Sequence, residues 1–280
     1  MRAMVLGAGG LLGHDLVATA PPDVTLLAFA RAELDITDSF GLAAAVLEQE
    51  PDVVISAAAY TAVDRAESEP EATFRVNSAA VGELGRIAHA AGARVIHFST
   101  DYVFDGTSGE PYAEESPTNP VNVYGAGKLA GERALAASGA NCLIIRTQWL
   151  FGAHGRCFPR TMWERATART ASRVVSDQFG RPTYSVDLAR ATWTLIDRDL
   201  SGVLHVANAG VATWYDVARR VYAACGVEQL VQPCSTAQFA TPAKRPARAV
   251  LGTTRSERTL GGPLPRWEDG IDRFLKELRQ

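Results

Sequence analysis

Tyr124 and Lys128 stand four residues apart in "VNVYGAGKLAGE", with Gly125 and Gly127 between them. At that spacing two side chains share one face of a helix, one turn apart. A phenol has an ordinary pKa near ~10 and gives up its proton reluctantly at neutral pH. An ammonium beside it stabilises the phenolate and lowers that value. Such a pair suits proton delivery to a nascent alkoxide, which is what reduction of a carbonyl by hydride requires. The glycines are less expected, since each costs a helix interior roughly 1 kcal/mol against alanine. They predict a helix pressed close to something, a cofactor and the sheet being the expected neighbours. A third group should polarise the carbonyl, and "HFSTDYVFDG" places Thr100 at the end of an apolar run.

Seen alone, a Tyr/Lys pair at this spacing says little, and a threonine at a turn usually bonds its own backbone. The N-terminus changes the weighting. "VLGAGGLLG" follows the first apolar run and opens a helical pattern. Gly7, Gly10 and Gly13 fit G-x-x-G-x-x-G, Gly9 adds flexibility, and Leu11 and Leu12 begin the helix. Such a turn lets backbone N–H groups approach a pyrophosphate at a helix N-terminus, and the strand-to-helix context is the one the motif needs. After the second apolar run the chain reads "AFARAELD". An acid at that place binds the ribose 2′-OH of NAD, whereas an arginine accommodates a 2′-phosphate. Arg31 is the nearest charge and Glu33 lies beyond it, so NADPH is the expected nucleotide and NADH stays open. Asp35 and Ile36 follow, where they would flank the adenine.

The elements that must position these residues are legible as alternation. Apolar runs at 3–7, 24–30, 52–58, 94–99 and 142–147 read as strands buried on both faces. Helical patterns lie between them at 11–20, 38–49, 71–91 and 122–138. The expected fold is α/β, a Rossmann-type doubly wound parallel sheet with a smaller, partly interleaved C-terminal substrate region. Residues 1–148 form the dinucleotide-binding domain and 149–280 mainly the substrate region, with 185–207 returning to the first. Within the second, helices are expected at 158–170, 185–198 and 213–225, strands at 173–176 and 202–207, loops over 232–265 and a last helix near 267–279.

Bulk properties exclude other classes. At 47% hydrophobic residues and a formal charge of −3, nothing draws in nucleic acid or an anionic membrane. No apolar run approaches the ~20 residues that span a bilayer, and the start does not read as a signal peptide. Cys142, Cys157, Cys225 and Cys234 show no C-x-x-C spacing, as expected of free thiols in a reducing, cytoplasmic compartment. No metal is predicted.

At the level of whole motifs the chain resembles the dTDP-4-dehydrorhamnose reductase family of extended short-chain dehydrogenase/reductases. The segments that carry the resemblance include "GAGGLLG", "ELDITD", "SAAAYTAVDRAESEPE", "STDYVFDG", "PYAEESPTNPVNVYGAGKLAGE", "IIRTQWLFG", "VVSDQFGRPTY" and "HVANAG", from residue 5 to about 246. It implies NADPH-dependent reduction of the 4-keto group of a dTDP-deoxysugar, with dTDP-4-dehydro-L-rhamnose favoured. Thr100, Tyr124 and Lys128 would be the catalytic set. Ala57, Ala58, Ala59 and Tyr60 would line the cofactor cleft, with Asn77 organising it. Asp101, Tyr102 and Trp149 would lie near the sugar, Trp149 packing on the pyranose ring unless it is a core residue. Arg181 and Arg245, or Arg248, would meet the pyrophosphate, since arginine forks match phosphate oxygens. Relatives are often homodimers, though no patch in this sequence marks an interface. Two positions depart from the family pattern, Cys157 in "GRCF" and Ala249 in "RPARAVL". They leave open a 4-ketoreductase for another dTDP-deoxysugar. A reading of another class, a non-catalytic NADP-binding subunit like that of methionine adenosyltransferase, has no chemical reason to keep Thr100, Tyr124 and Lys128 together.

Overall fold

The computed structural model describes residues 1–198 and 200–279. The apolar runs become strands and the periodic stretches helices. In chain order these begin as β1 (Arg2–Leu6), α1 (Leu11–Ala18), β2 (Thr25–Phe29), α2 (Ser39–Gln49) and β3 (Val53–Ser56). Next come α3 (Val63–Ala66), α4 (Pro70–Phe74), a π turn at Arg75–Ala79, α5 (Ala80–Ala90), β4 (Arg94–Thr100), α6 (Val123–Ala136) and β5 (Cys142–Thr147). The remainder comprises β6 (Leu150–Phe151), α7 (Phe158–Thr167), β7 (Ser172–Val175), β8 (Phe179–Gly180), β9 (Thr183–Tyr184), α8 (Ser185–Ile196) and β10 (Gly202–His205). It ends with β11 (Ala212–Thr213), α9 (Trp214–Ala224), β12 (Val231–Cys234), α10 (Thr254–Leu260) and α11 (Trp267–Glu277).

Six strands make one sheet in the order β10-β5-β4-β3-β1-β2, every pair parallel. Strand order across the sheet reverses between β1 and β3, which opens a crevice at the carboxyl ends of those strands. The sheet is Rossmann-like. Leu12 and Leu16 of α1 and Leu188, Leu195 and Ile196 of α8 pack on one face, over Val5, Ile55, Ile96 and Ile145. Leu42 and Val46 of α2, Val81 and Leu84 of α5 and Leu135 of α6 pack on the other. A third cluster joins Phe151, Met162, Tyr184, Val217, Tyr222 and Phe274 in the C-terminal part. The chain re-enters the first sheet through β10, which lies beside β5.

Two expectations needed correction. The single helix expected over 71–91 is α4, a π turn and α5. A π turn inserts one residue into the helical ladder, and its buried residue here is Asn77. The segment 232–265, expected as loops, holds most of β12 and all of α10. β12 carries Pro233, but it pairs only with β7, so it is an edge strand and a missing N–H costs no ladder bond.

Candidate functional site

β1 ends at Leu6 and the chain turns at Gly7, whose φ of 81° lies in the left-handed region. A Cβ at Gly7 would come within 2.8 Å of Ala58 N, so the turn is wedged against the segment that follows β3. Gly10 N donates to Gly7 O at 2.9 Å and caps α1 by its backbone alone; no side chain among the described residues bonds that cap. The first amides of a helix lack intrahelical acceptors, and Gly10, Leu11 and Leu12 line a cavity of about 1120 Å³. That is at the large end of ordinary ligand sites, which run to about 1,000 Å³. A helix start without a side-chain cap, opening on this cavity, fits a dinucleotide.

The opposite wall comes from β4, α6 and the end of β5. Asn122 starts α6, its Oδ1 accepting from Gly125 N at 2.7 Å and its Nδ2 donating to Lys244 O at 2.8 Å. Tyr124 and Lys128 then face the cavity beside Thr100, Asp101 and Tyr102. The α6 glycines answer to protein neighbours. A Cβ on Gly125 would fall on the Tyr102 carbonyl, one on Gly131 on the Asn77 carbonyl, and one on Gly127 within 3.0 Å of Thr73 Cγ2. The close approach expected between this helix and a cofactor is thus an approach to the π turn and to the turn after β4.

Lys128 Nζ donates to Phe98 O at 2.7 Å and meets His97 Nε2 at 3.1 Å. Burial brings its ammonium down to about 8, against the pull of Glu132. The Tyr124 phenol is pushed up to about 12 by burial, with the Thr100 hydroxyl drawing it down and the Asp101 charge raising it further. The Lys128 ammonium bonds groups on β4 and not the Tyr124 phenol. Thr100 Oγ1 accepts from Tyr102 N and donates to Asp101 Oδ1, both at 3.2 Å. Burial raises the Asp101 carboxyl to about 7, opposed first by Gln148, whose Nε2 donates to Asp101 Oδ2 at 3.0 Å. Ser99 Oγ and Thr147 Oγ1 line the same cavity, buried and without a partner among the described residues.

Asn77 clamps the segment after β3, accepting from Tyr60 N at 2.8 Å and donating to Tyr60 O at 2.9 Å. Ala57 and Ala59 reach the cavity wall, whereas Ala58, Tyr60 and Asn77 stand behind it. Gly7, Gly9 and Gly13 likewise shape the turn without lining the cavity. Arg31 is 81% exposed, outside the wall, with Nε 3.1 Å from Asp35 Oδ2. The Thr37 amide holds the Asp35 carboxyl below its usual value, with the Thr37 hydroxyl and Arg31 adding to it. Ile36 is buried.

Trp149 lines the cavity and is half-buried against two neighbours. Trp214 stacks on it at 3.7 Å and 11°, and a Cβ on Gly180 would meet its ring at 2.5 Å. The stack occupies one face of the ring on which a pyranose was expected to pack. Arg245 lines the cavity with its charge spent on Asp64, in a bidentate pair at 2.9 and 3.0 Å. Arg181 and Arg248 are outside the wall, Arg248 over the Phe179 ring at 5.6 Å. Arg165 and Arg173, which sequence reasoning missed, line the cavity and pair with neutral acceptors: Ser172 Oγ at 2.6 Å, Ala171 O at 2.7 Å and Gln238 Oε1 at 3.2 Å. No motif marks them. Trp214, also missed, had a signal: an aromatic directly after the capping-box residue Thr213. The two departures are not in the wall. The Ala249 side chain is in the Phe104–Leu129–Leu251 cluster, and Cys157 starts α7 with Sγ 3.6 Å from Gly152 O.

Among the described residues, one cluster brings together three groups able to ligate a metal: His14, Asp15 and His154. The two imidazoles stack at 3.3 Å, and Asp15 accepts from the Ser185 hydroxyl. None of the three lines the cavity. No described helix is long and apolar enough to cross a membrane.

The family model described as RmlD substrate binding domain matches residues 1–280. A dTDP-4-dehydrorhamnose reductase from Sinorhizobium fredii is 39% identical, over 99% of this chain and 98% of its own. A probable dTDP-4,6-dihydroxy-2-methyloxan-3-one 4-ketoreductase from Streptomyces antibioticus is 40% identical, over 99% and 96%. The crystal structure of dTDP-4-dehydrorhamnose reductase from Bacillus anthracis in complex with NADP superposes with a TM-score of 0.93 at 35% identity, covering 99% of each chain. By full-length match and by fold, the chain belongs to the dTDP-4-dehydrorhamnose reductase family.

Proposed function

We propose that this protein reduces the 4-keto group of a dTDP-deoxysugar with NADPH, the favoured conversion being dTDP-4-dehydro-L-rhamnose to dTDP-L-rhamnose in the cytoplasm. One observation carries the reading. Thr100, Tyr124 and Lys128 share a single cavity with the start of α1, which has no side-chain cap, at the carboxyl ends of parallel strands. The family membership supports the same chemistry. NADPH, when bound, supplies the hydride.

The amides of Gly10, Leu11 and Leu12 bind the pyrophosphate, with Gly7, Gly9 and Gly13 keeping backbone close. Ala57 to Tyr60, held by Asn77, form the other side of the cleft. Arg31 turns from Asp35 to the 2′-phosphate, and Asp35 and Ile36 flank the adenine. Residues 1–148 with 185–207 make up this half. In the rest, Arg165 and Arg173 bring unneutralised charge to the substrate diphosphate, with Arg245 and Asp64 as a fixed neighbour. Asp101, Tyr102 and Trp149 meet the sugar. Thr100 orients the carbonyl. Tyr124, a phenol held neutral with its value near 12, is the proton donor to the alkoxide. Lys128 offers an N–H to the ribose and its charge to the phenolate that remains. An intact set of this kind favours turnover over a purely regulatory NADP site.

A second reading, a 4-ketoreductase for another dTDP-deoxysugar, is favoured by the 40% identity to the Streptomyces antibioticus ketoreductase. A panel of dTDP-4-keto sugars, followed by NADPH absorbance with NMR of the products, separates the two. Turnover of dTDP-4-dehydro-L-rhamnose to the L-rhamnose product supports the first. Turnover restricted to another sugar supports the second, and tight NADPH binding with no turnover overturns both.

A further inference from the structure

We propose that His97, backed by Ser56, is a positioning residue for Lys128: its imidazole takes one ammonium N–H and leaves another directed at the cavity. The consequence for turnover rests on the reductase reading above; the contact itself does not.

An ammonium has three N–H donors and no acceptor. Lys128 directs one to Phe98 O at 2.7 Å and one to His97 Nε2 at 3.1 Å, and one remains. For Nε2 to accept, the ring proton must be on Nδ1, and Nδ1 faces Ser56 Oγ at 3.3 Å. Ser56 and His97 are register partners on β3 and β4, so the relay is built into the sheet. Both are buried, in strands otherwise made of Val, Ile and Phe beyond the polar ends. Buried polar side chains cost free energy unless bonded, and an apolar pair would fill this space without that cost. The lysine above them supplies the reason for the polar pair.

The acceptor role is maintained across pH. Burial holds His97 well below its ordinary value, and the Lys128 charge pushes the same way, so the imidazole stays neutral. The charged and titratable groups around the ammonium are Tyr124 and Glu132 on α6, His97 on β4, Asp101 just beyond it and Arg146 on β5. Arg146 is spent on Glu132, in a bidentate pair at 2.9 and 2.7 Å. Among the described residues, His97 is the one side chain that bonds the ammonium.

The chain has three lysines, Lys128, Lys244 and Lys276. Lysine labelled with carbon-13 at Cε therefore gives three resonances to titrate by NMR. His97→Leu removes the acceptor and should lower the Lys128 midpoint by about one unit, with the alkaline limb of kcat moving down in step. His97→Gln, whose amide oxygen can accept, should return most of the shift. Ser56→Ala should lower the midpoint by less, because the Nδ1 proton loses its acceptor. A residue with only a structural role would lower the melting temperature without moving the midpoint. A folded His97→Leu protein with an unmoved Lys128 midpoint overturns the proposal. Should that variant not fold, Ser56→Ala decides: a lowered midpoint supports the proposal and an unmoved one overturns it. Absence of turnover by the unsubstituted protein with every sugar would sink the reductase reading, while the lysine midpoints still decide this one.

Discussion

In the proposed reaction Tyr124 is the acid, and it must hold its proton until it is needed. Burial pushes the phenol up to about 12, so it enters the reaction protonated. Tyr124→Phe removes the acid and nothing else of that size, and should cut turnover by about 10²–10⁴-fold. NADPH affinity, read by fluorescence titration, should stay nearly unchanged; undiminished turnover would remove Tyr124 as the acid. Asp101 is the complementary case. Its buried carboxyl sits at about 7 in the folded protein, above the ordinary 3.8. A raised carboxyl contributes full stability below the unfolded value and loses it as pH climbs to the folded value. Wild-type stability should therefore fall between about pH 4 and pH 7 relative to Asp101→Asn, and the gap should stay constant above that window. Urea denaturation of both proteins across this range measures it, and a gap that does not change with pH would show that Asp101 is solvated.

At the scale of the element, α6 is a helix that gives up propensity for contact. Gly131 lies against the carbonyl of Asn77, and Asn77 in turn holds both backbone groups of Tyr60. A methyl group there must displace backbone, since no flexible side chain is available to yield. Gly131→Ala should cost about 1–3 kcal/mol, the usual range for overpacking, despite alanine's better helix propensity. It should also weaken NADPH binding by shifting the segment after β3. Urea midpoints and cofactor titration test both, and a variant as stable as wild type would mean the helices separate at no cost.

Across the whole molecule, aromatic rings tie the segment after β5 to α7 and α9. Trp149 follows β5 of the main sheet, and Trp214 opens α9 of the C-terminal part; they stack at 3.7 Å with Phe158 edge-on to Trp214 at 4.8 Å. Aromatic pairs contribute about 0.5–1.5 kcal/mol beyond area burial. Trp214→Ala should free one face of Trp149 and raise KM for the sugar nucleotide several-fold, with NADPH affinity unchanged because α1 and β1 are untouched. Equal losses for both ligands would show that the stack supports the whole fold rather than the substrate half.

The strands, the glycine turn after β1 and the shared helix face of Tyr124 and Lys128 were legible from the chain alone because each rests on local pattern. Continuous apolar runs, glycines at fixed offsets and a one-turn spacing need no knowledge of distant residues. The π turn that holds Asn77, the edge position that admits Pro233 and the helix at 254–260 were not legible, since each depends on what packs alongside. Charge use was the least visible. Arg245 and Arg165 look alike in sequence, and only the fold pairs the first with Asp64 and leaves the second on neutral oxygens. The same holds for Lys128, whose ammonium turns toward His97 because β4 passes beneath α6. Residue order determined which groups the protein has and their local geometry. Tertiary structure decided which of those groups are already satisfied and which still face the cavity, because hydrogen bonds and ion pairs between distant segments are set by packing.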